Sequence, residues 1–270
     1  MPTALTIAGS DSGAGAGIQA DLKTFSALGV YGATVITAVT AQNTLGVQAI
    51  EVIGPEMVRK QLESVLTDIG ADAVKIGMLG SSGNIAMAAG MLRHYRARNI
   101  VLDPVLASTS GSILLPGEAR NVLIEQLLPV VDLVTPNLTE AGILTGTTVA
   151  NPEDMKKAAY TLHQMGSRMV LVKGGHLTGA SIDVFYDGTN FTLLEAKRIA
   201  TDNTHGTGCT LSSAIAAYLA KGRDPLSAVR MAKEFISAAI QYSLKIGKGK
   251  GPVNQFHGVK SRDIEPGSKT

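Results

Sequence analysis

Short apolar runs alternate along the chain with longer stretches of helical periodicity. Leu5-Thr6-Ile7-Ala8 reads as a first strand, followed by a Gly-rich turn and a helix over about 18–28. Residues 33–41, rich in Val, Ile and Thr, predict a second strand. Pro55 takes the favoured first position of a helix with Met57, Val58, Leu62, Val65 and Leu66 on one side. Residues 73–76 predict a third strand and 84–96 a further helix. Three later runs share one form. Ile100-Val101-Leu102 ends at Asp103-Pro104, Leu133-Val134 leads into Thr135-Pro136-Asn137, and Met169-Val170-Leu171-Val172 leads into Lys173-Gly174-Gly175. Each is an apolar strand with a polar residue at its C-terminal end, where open α/β sheets place ligands. Residues 182–186 and 191–194 then predict a hairpin around Asp187-Gly188-Thr189-Asn190. Two helices, over about 207–221 and 225–245, close the pattern. It predicts one α/β domain with a mostly parallel central sheet over 1–258 and a flexible tail over 259–270.

Composition narrows the class without changing it. The chain is 45% hydrophobic and 17% charged, ordinary values for a soluble globular protein, and 270 residues suffice for a large core. A formal net charge of +2 implies no nucleic-acid or membrane partner, and the basic stretch from Lys245 to Lys250 reads as a solvated loop. One cysteine cannot form an internal disulfide, which fits a reducing compartment such as the cytoplasm. The N-terminus runs almost directly into a strand, so no secretory signal is expected, and small or polar residues interrupt every apolar run that could cross a membrane.

The candidate chemistry is concentrated in Asn203-Thr204-His205-Gly206-Thr207-Gly208-Cys209-Thr210. A turn ends there and a long apolar helix begins. Gly206, Thr207 and Gly208 would leave backbone N–H groups unpaired at the first helical turn, where they and the helix dipole favour an anion such as phosphate. Cys209 sits in the same turn, where thiol pKa values tend to fall, although a lone Cys on such a helix is more often a small packing residue. An anion cradle beside a candidate base points to phosphoryl transfer. The first loop, Gly9-Ser10-Asp11-Ser12-Gly13-Ala14-Gly15-Ala16-Gly17, lacks the Gly-Lys-Ser/Thr of a P-loop. It loosely fits the dinucleotide fingerprint, but the second strand ends in Thr40-Ala41-Gln42-Asn43 with no acid for a ribose. A structural turn or a loop approaching a small substrate fits better. Asp21 reads as a surface carboxylate near a helix start, Gln42 as a loop amide or a reader of a heterocycle's edge. Asp103 is a turn aspartate, or it serves a metal or charge role at the end of its strand. Asn137 and Glu140 could simply begin a helix, while Mg²⁺ held with phosphates would suit Glu140 and Asp103. Lys173 is a solvated turn lysine or a cation over nucleotide phosphates.

Taken in order, these residues carry a family likeness. Ala8-Gly9-Ser10-Asp11, Gly15-Ala16-Gly17-Ile18-Gln19-Ala20-Asp21, Ala41-Gln42-Asn43-Thr44, Lys75-Ile76-Gly77-Met78-Leu79, Asp103-Pro104-Val105, Thr135-Pro136-Asn137-Leu138-Thr139-Glu140, Lys173-Gly174-Gly175-His176 and the 205–210 run resemble the bacterial hydroxymethylpyrimidine/phosphomethylpyrimidine kinases. The likeness spans about residues 3–257. It implies a ribokinase-like αβα sandwich, usually dimeric, that uses MgATP to phosphorylate the aminopyrimidine alcohol and then its monophosphate in thiamine biosynthesis. Carried over residue by residue, it implies Gln42 as pyrimidine reader with Asp21 nearby, and Met78 and Val105 as apolar walls. Asn137, Lys173 and Thr204 fall on the nucleotide side, Glu140 and Asp103 on the Mg²⁺ side. Gly206, Thr207, Gly208 and Cys209 form the anion hole, with Cys209 as base where most of the superfamily carries Asp. A pyridoxine or pyridoxal kinase is the nearest alternative, and a non-catalytic nucleotide- or vitamin-binding protein a more distant one.

Overall fold

Alternation within the strands decides the architecture. The computed structural model describes residues 1–106, 117–175 and 181–259. Among these, nine strands form one sheet in the order β3-β2-β1-β4-β5-β6-β7-β8-β9. They are β1 (Thr3–Asp11), β2 (Tyr31–Asn43), β3 (Gly46–Val52), β4 (Ala73–Ile76), β5 (Ile100–Leu102), β6 (Leu133–Val134), β7 (Met169–Val172), β8 (Ser181–Tyr186) and β9 (Phe191–Ala196). The centre is parallel, from β2 across to β7, while β3 and the β8–β9 hairpin join by antiparallel pairing.

Successive residues of each central strand point to opposite faces. Leu5, Ile7, Val74, Ile76, Ile100, Leu102, Val134 and Val170 join one buried cluster. Their neighbours Ala4, Ala73, Val101, Leu133 and Leu171 join another. The first face is covered by α2 (Pro55–Asp68), α3 (Ser82–His94), α4 (Gly117–Val122), α5 (Leu138–Thr145) and α6 (Pro152–Gln164). Beyond α4 the helical path continues through a wider turn at Leu123–Leu127 and a tighter one at Leu128–Val130. The second face is covered by α1 (Gly17–Ala27), α7 (Thr207–Ala220) and α8 (Pro225–Gln241). The result is the expected three-layer αβα sandwich with a mostly parallel sheet. Strand ends β1, β2, β4, β5, β6 and β7 all feed loops on one rim, and α7 begins at that rim.

Three details differ from what the periodicity predicts. The edge strand β3 was not anticipated, because most of its residues are exposed on both faces and show no apolar alternation. Met57 lies off the buried stripe of α2 and is 54% exposed, whereas Val58 and Leu62 are fully buried. Helix α8 stops at Gln241 because the chain folds back, with Leu244 N–H donating to Pro252 O at 2.9 Å. Segments 107–116, 176–180 (with His176) and 260–270 of the predicted tail lie outside the described residues. Among the described residues, no helix is long and apolar enough to cross a membrane.

Candidate active site

Gly206 opens α7 in the left-handed region, with φ 83°, and no side chain caps the helix. A Cβ on Gly206 would collide with the carbonyl oxygen of Gly15, so the first Gly-rich loop and the α7 turn touch backbone to backbone. Thr204 organises the approach. Its carbonyl accepts the Thr207 N–H at 3.2 Å and the Thr207 hydroxyl at 2.6 Å, and Thr210 N–H reaches Gly206 O at 2.9 Å. The amides of Gly208 and Cys209 find no acceptor among the described residues, as the first turn of a helix requires. Gly208 is pressed against opposite charges. A Cβ there would lie 3.2 Å from Asp103 Oδ2 and 3.4 Å from Lys173 Nζ. The ends of β5 and β7 therefore meet the start of α7 at this one glycine.

Lys173 Nζ donates to Asp103 Oδ1 at 2.7 Å, with 15% and 4% of the two side chains exposed. Burial alone would lower the Lys173 pKa, but Asp103 first and Glu140 second raise it on balance, so the ammonium stays charged. Asn137 and Glu140 lie alongside. Asn137 Oδ1 accepts the Glu140 N–H at 2.9 Å and Glu140 Oε2 accepts the Asn137 N–H at 2.8 Å. This capping box fixes the start of α5 and leaves Glu140 Oε1 outside it. Burial pushes the Glu140 carboxyl up to about 7; Lys173 pulls it down and Asp103 pushes it further up. Asn137 bridges to Lys173 through the backbone, where Lys173 N–H donates to Pro136 O at 2.8 Å. The predicted nucleotide-side and metal-side residues thus form one charged cluster.

A second ion pair lies beneath the turn, on the face that packs α1 and α7. Lys75 of β4 donates to both Asp21 oxygens at 2.9 Å, and neither side chain has any exposed surface. Thr6 and Ser213 hydroxyls each donate to Asp21 at 2.6 Å. Asp21 is therefore not the substrate contact that the resemblance implied: its side chain is sealed, and its oxygens serve Lys75, Thr6 and Ser213. Cys209 is half-buried. Burial pushes its thiol up to about 11; Lys75 pulls it down, while Asp21 and Asp103 push it up. The fall expected at a helix start is outweighed by desolvation.

On the substrate side, Asp11 gathers the first loop. It accepts N–H groups of Gly13 at 2.8 Å, Gly15 at 3.0 Å and Ala16 at 2.8 Å, and lies 3.1 Å from His205 Nε2. Burial works against its charge, but His205 and these amides hold its carboxyl below the usual range. Gln42 is half-buried, with Nε2 3.4 Å from His205 Nε2 and Oε1 accepting the Thr40 hydroxyl at 3.2 Å. Met78 and Val105 are half-buried on adjacent strand ends, and Met78 Sδ would lie 3.3 Å from a Cβ on Gly9. Two surface clefts lie beside the site, and Cys209 lines neither. One of 640 Å³ follows α5 at Leu138 and Ile143, and one of 190 Å³ lies between Gly13, His205 and Phe256. Lys75, Asp11 and His205 had no role in the sequence reading. A lysine inside an otherwise apolar buried strand was the one available signal for the first.

No group of three or more metal-ligating side chains converges among the described residues. The Asp103 and Glu140 carboxylates fit Mg²⁺ nonetheless, because that ion commonly takes one or two carboxylates and fills its shell with water and phosphate oxygens.

An αβα sandwich with an uncapped glycine turn at the strand-end rim defines a ribokinase-like protein. The chain belongs to the phosphomethylpyrimidine kinase family, whose profile matches residues 11–254. It is 54% identical to the hydroxymethylpyrimidine/phosphomethylpyrimidine kinase of Rhizobium meliloti over 258 residues, 94% of this chain and 97% of that one. It is 51% identical over 266 residues to the chloroplastic thiamine biosynthetic bifunctional enzyme of Arabidopsis thaliana; the match covers 96% of this chain but spans only 51% of that relative. Among solved structures, the pyridoxal kinase of Staphylococcus aureus in complex with ADP superposes with a TM-score of 0.90 at 39% identity, covering 97% and 96% of the two chains.

Proposed function

We propose that the chain uses ATP to phosphorylate 4-amino-5-hydroxymethyl-2-methylpyrimidine and then its monophosphate, giving the diphosphate used in thiamine biosynthesis. The supporting observation is the 206–209 turn. There, open amides, the only cysteine and the Lys173–Asp103 pair surround one point at the sheet rim. Phosphoryl transfer needs in-line positioning and neutralised charge more than covalent chemistry. Lys173 and the Gly208 and Cys209 amides face the transferring phosphoryl oxygens. Asn137 and Thr204 shape the nucleotide side, and Met78, Val105 and Gln42 hold the ring. Glu140 and Asp103 would hold Mg²⁺, which would supply further charge neutralisation. As the new O–P bond forms and the bond to the ADP oxygen breaks, Cys209 Sγ, in its thiolate form, takes the hydroxymethyl proton and becomes the thiol.

Cys209→Ala should lower kcat by about 10²–10⁴-fold. A variant turning over within a few-fold of wild type would show that the thiol is not the base. With its thiol near 11, kcat should climb as pH rises from neutrality, and a flat profile would contradict proton acceptance at Cys209. The close superposition on a pyridoxal kinase motivates a second reading, salvage of vitamin B6 alcohols. The ratio of kcat/KM for the aminopyrimidine and for pyridoxal separates the two, and a large pyridoxal preference would reverse the first. We also infer a cytoplasmic homodimer built from a single domain over 1–258, which sedimentation of the full chain tests.

A further inference from the structure

We propose that His205 is a specificity-determining residue that fixes which way round Gln42 presents its amide to the ring. This rests on the reading of Gln42 as ring reader. The hydrogens around the pair admit only one arrangement. Asp11 Oδ1 accepts Gly13 N–H, and Oδ2 accepts Gly15 and Ala16 N–H and lies 3.1 Å from His205 Nε2. A carboxylate surrounded by donors has no proton to offer, so the hydrogen on that contact belongs to Nε2. Gln42 Nε2 lies 3.4 Å from the same His205 Nε2, so the amide must be turned end for end to bring its oxygen, the acceptor, to that position. With the amide nitrogen there instead, two donors would face each other.

Thr40 gives the same answer independently. Its hydroxyl has one hydrogen, and Ser10 O is the stronger acceptor, at 2.9 Å. The Gln42 terminal atom 3.2 Å from that hydroxyl oxygen, Oε1 before the amide is turned, is after the turn the nitrogen, and it donates to Thr40. Both ends are satisfied with the Gln42 oxygen toward His205 and the nitrogen toward Thr40.

His205 is well held for this task. Gly15 packs so closely on its ring that a Cβ there would collide with it. Its own N–H donates to Gly251 O at 3.1 Å, and its carbonyl accepts Val253 N–H at 3.2 Å. The amide therefore offers a carbonyl on the His205 side and an N–H on the Thr40 side. An amino group beside a ring nitrogen, as in an aminopyrimidine, matches that polarity when the amino group faces His205. The pyridine ring of pyridoxal has no amino group beside its nitrogen.

Two measurements test this. First, the ¹⁵N shift of His205 Nε2 should fall in the range of a protonated ring nitrogen; an unprotonated value would overturn the proposal. Second, a double-mutant cycle separates His205 from Gln42. His205→Leu should raise KM for the aminopyrimidine about tenfold, the upper end for one hydrogen-bonding partner, while KM for ATP stays unchanged. His205→Gln, which keeps an N–H donor, should recover most of the loss. In a Gln42→Ala background, His205→Leu should change KM by no more than about twofold. Equal effects in both backgrounds would mean that His205 acts on the loop alone, and the proposal would fall while the Gln42 reading stood. An unchanged KM in Gln42→Ala by itself would remove the ring-reader assignment, and the proposal with it.

Discussion

Two lysine–aspartate pairs flank the 206–209 turn and differ in one respect. Lys75 and Asp21 are sealed, and both carboxylate oxygens are taken up by Lys75, Thr6 and Ser213. Lys173 and Asp103 meet through one contact at the rim, with 15% of the lysine side chain still exposed. A pair saturated by its own fold has nothing left for a ligand, so it acts as scaffold and as a fixed charge behind Cys209. A pair with unfilled valences can turn toward phosphate or a cation. The same two residue types serve opposite purposes because one pair lies between sheet and helices and the other at the sheet's end.

The sharpest way to break this comparison is Asp21→Leu. It leaves the Lys75 ammonium buried without its carboxylate and should cost about 3–5 kcal/mol of unfolding free energy, read from denaturant midpoints at constant m-value. Lys75→Met in the same chain should restore much of that loss, because the orphaned charge is then gone. If Asp21→Leu costs less than about 1 kcal/mol, the sealed pair is not the scaffold described here. Lys173→Met should show the reverse balance: kcat falls about 10²–10³-fold, with a smaller loss of stability than Asp21→Leu. Stability falling further than turnover would erase the distinction between the pairs.

Glu140 supplies a gentler test. Its folded pKa is raised from 4.5 to about 7, so it favours the folded state fully below about pH 4.5, and that contribution is lost as pH rises to about 7. Above that value the carboxylate is charged and suited to a cation. The apparent Mg²⁺ requirement should therefore weaken at low pH and tighten as pH passes 7, and Glu140→Gln should flatten both the stability slope and the metal dependence. A metal requirement indifferent to pH in the wild type would remove Glu140 from the cation's shell.

Much of this was legible in the sequence. The central strands are apolar runs that end in polar residues, and the β8–β9 hairpin carries an Asp-Gly turn, so periodicity alone placed them. β3 was missed because an edge strand exposed on both faces carries no burial pattern. Met57 and Val58 are adjacent in sequence, but one position along a helix rotates a side chain by about 100°, so only Val58 reaches the core. In the site, Asp103, Asn137, Glu140 and Lys173 gather as the strand-end rule predicts, since neighbouring parallel strands bring their ends together. Asp21, Lys75 and His205 were harder. Their roles depend on partners 54 residues away for Asp21 and Lys75, and 194 away for His205 and Asp11, and no local spacing reports such contacts.

The bare start of α7 has a last consequence, for rigidity. Its segment supplies Leu211, Ala214, Ile215 and Ala217 to the cluster that fills one side of the sheet. Its first turn has no side-chain cap of its own. Any phosphoryl group seated there becomes a removable cap, and binding only the folded chain adds to its stability in proportion to occupancy. The protein should stiffen and slacken once per turnover. Hydrogen exchange at the Gly208 and Cys209 amides would follow that rhythm, slowing when nucleotide is bound and recovering on release; rates blind to nucleotide would mean that the phosphoryl group sits elsewhere.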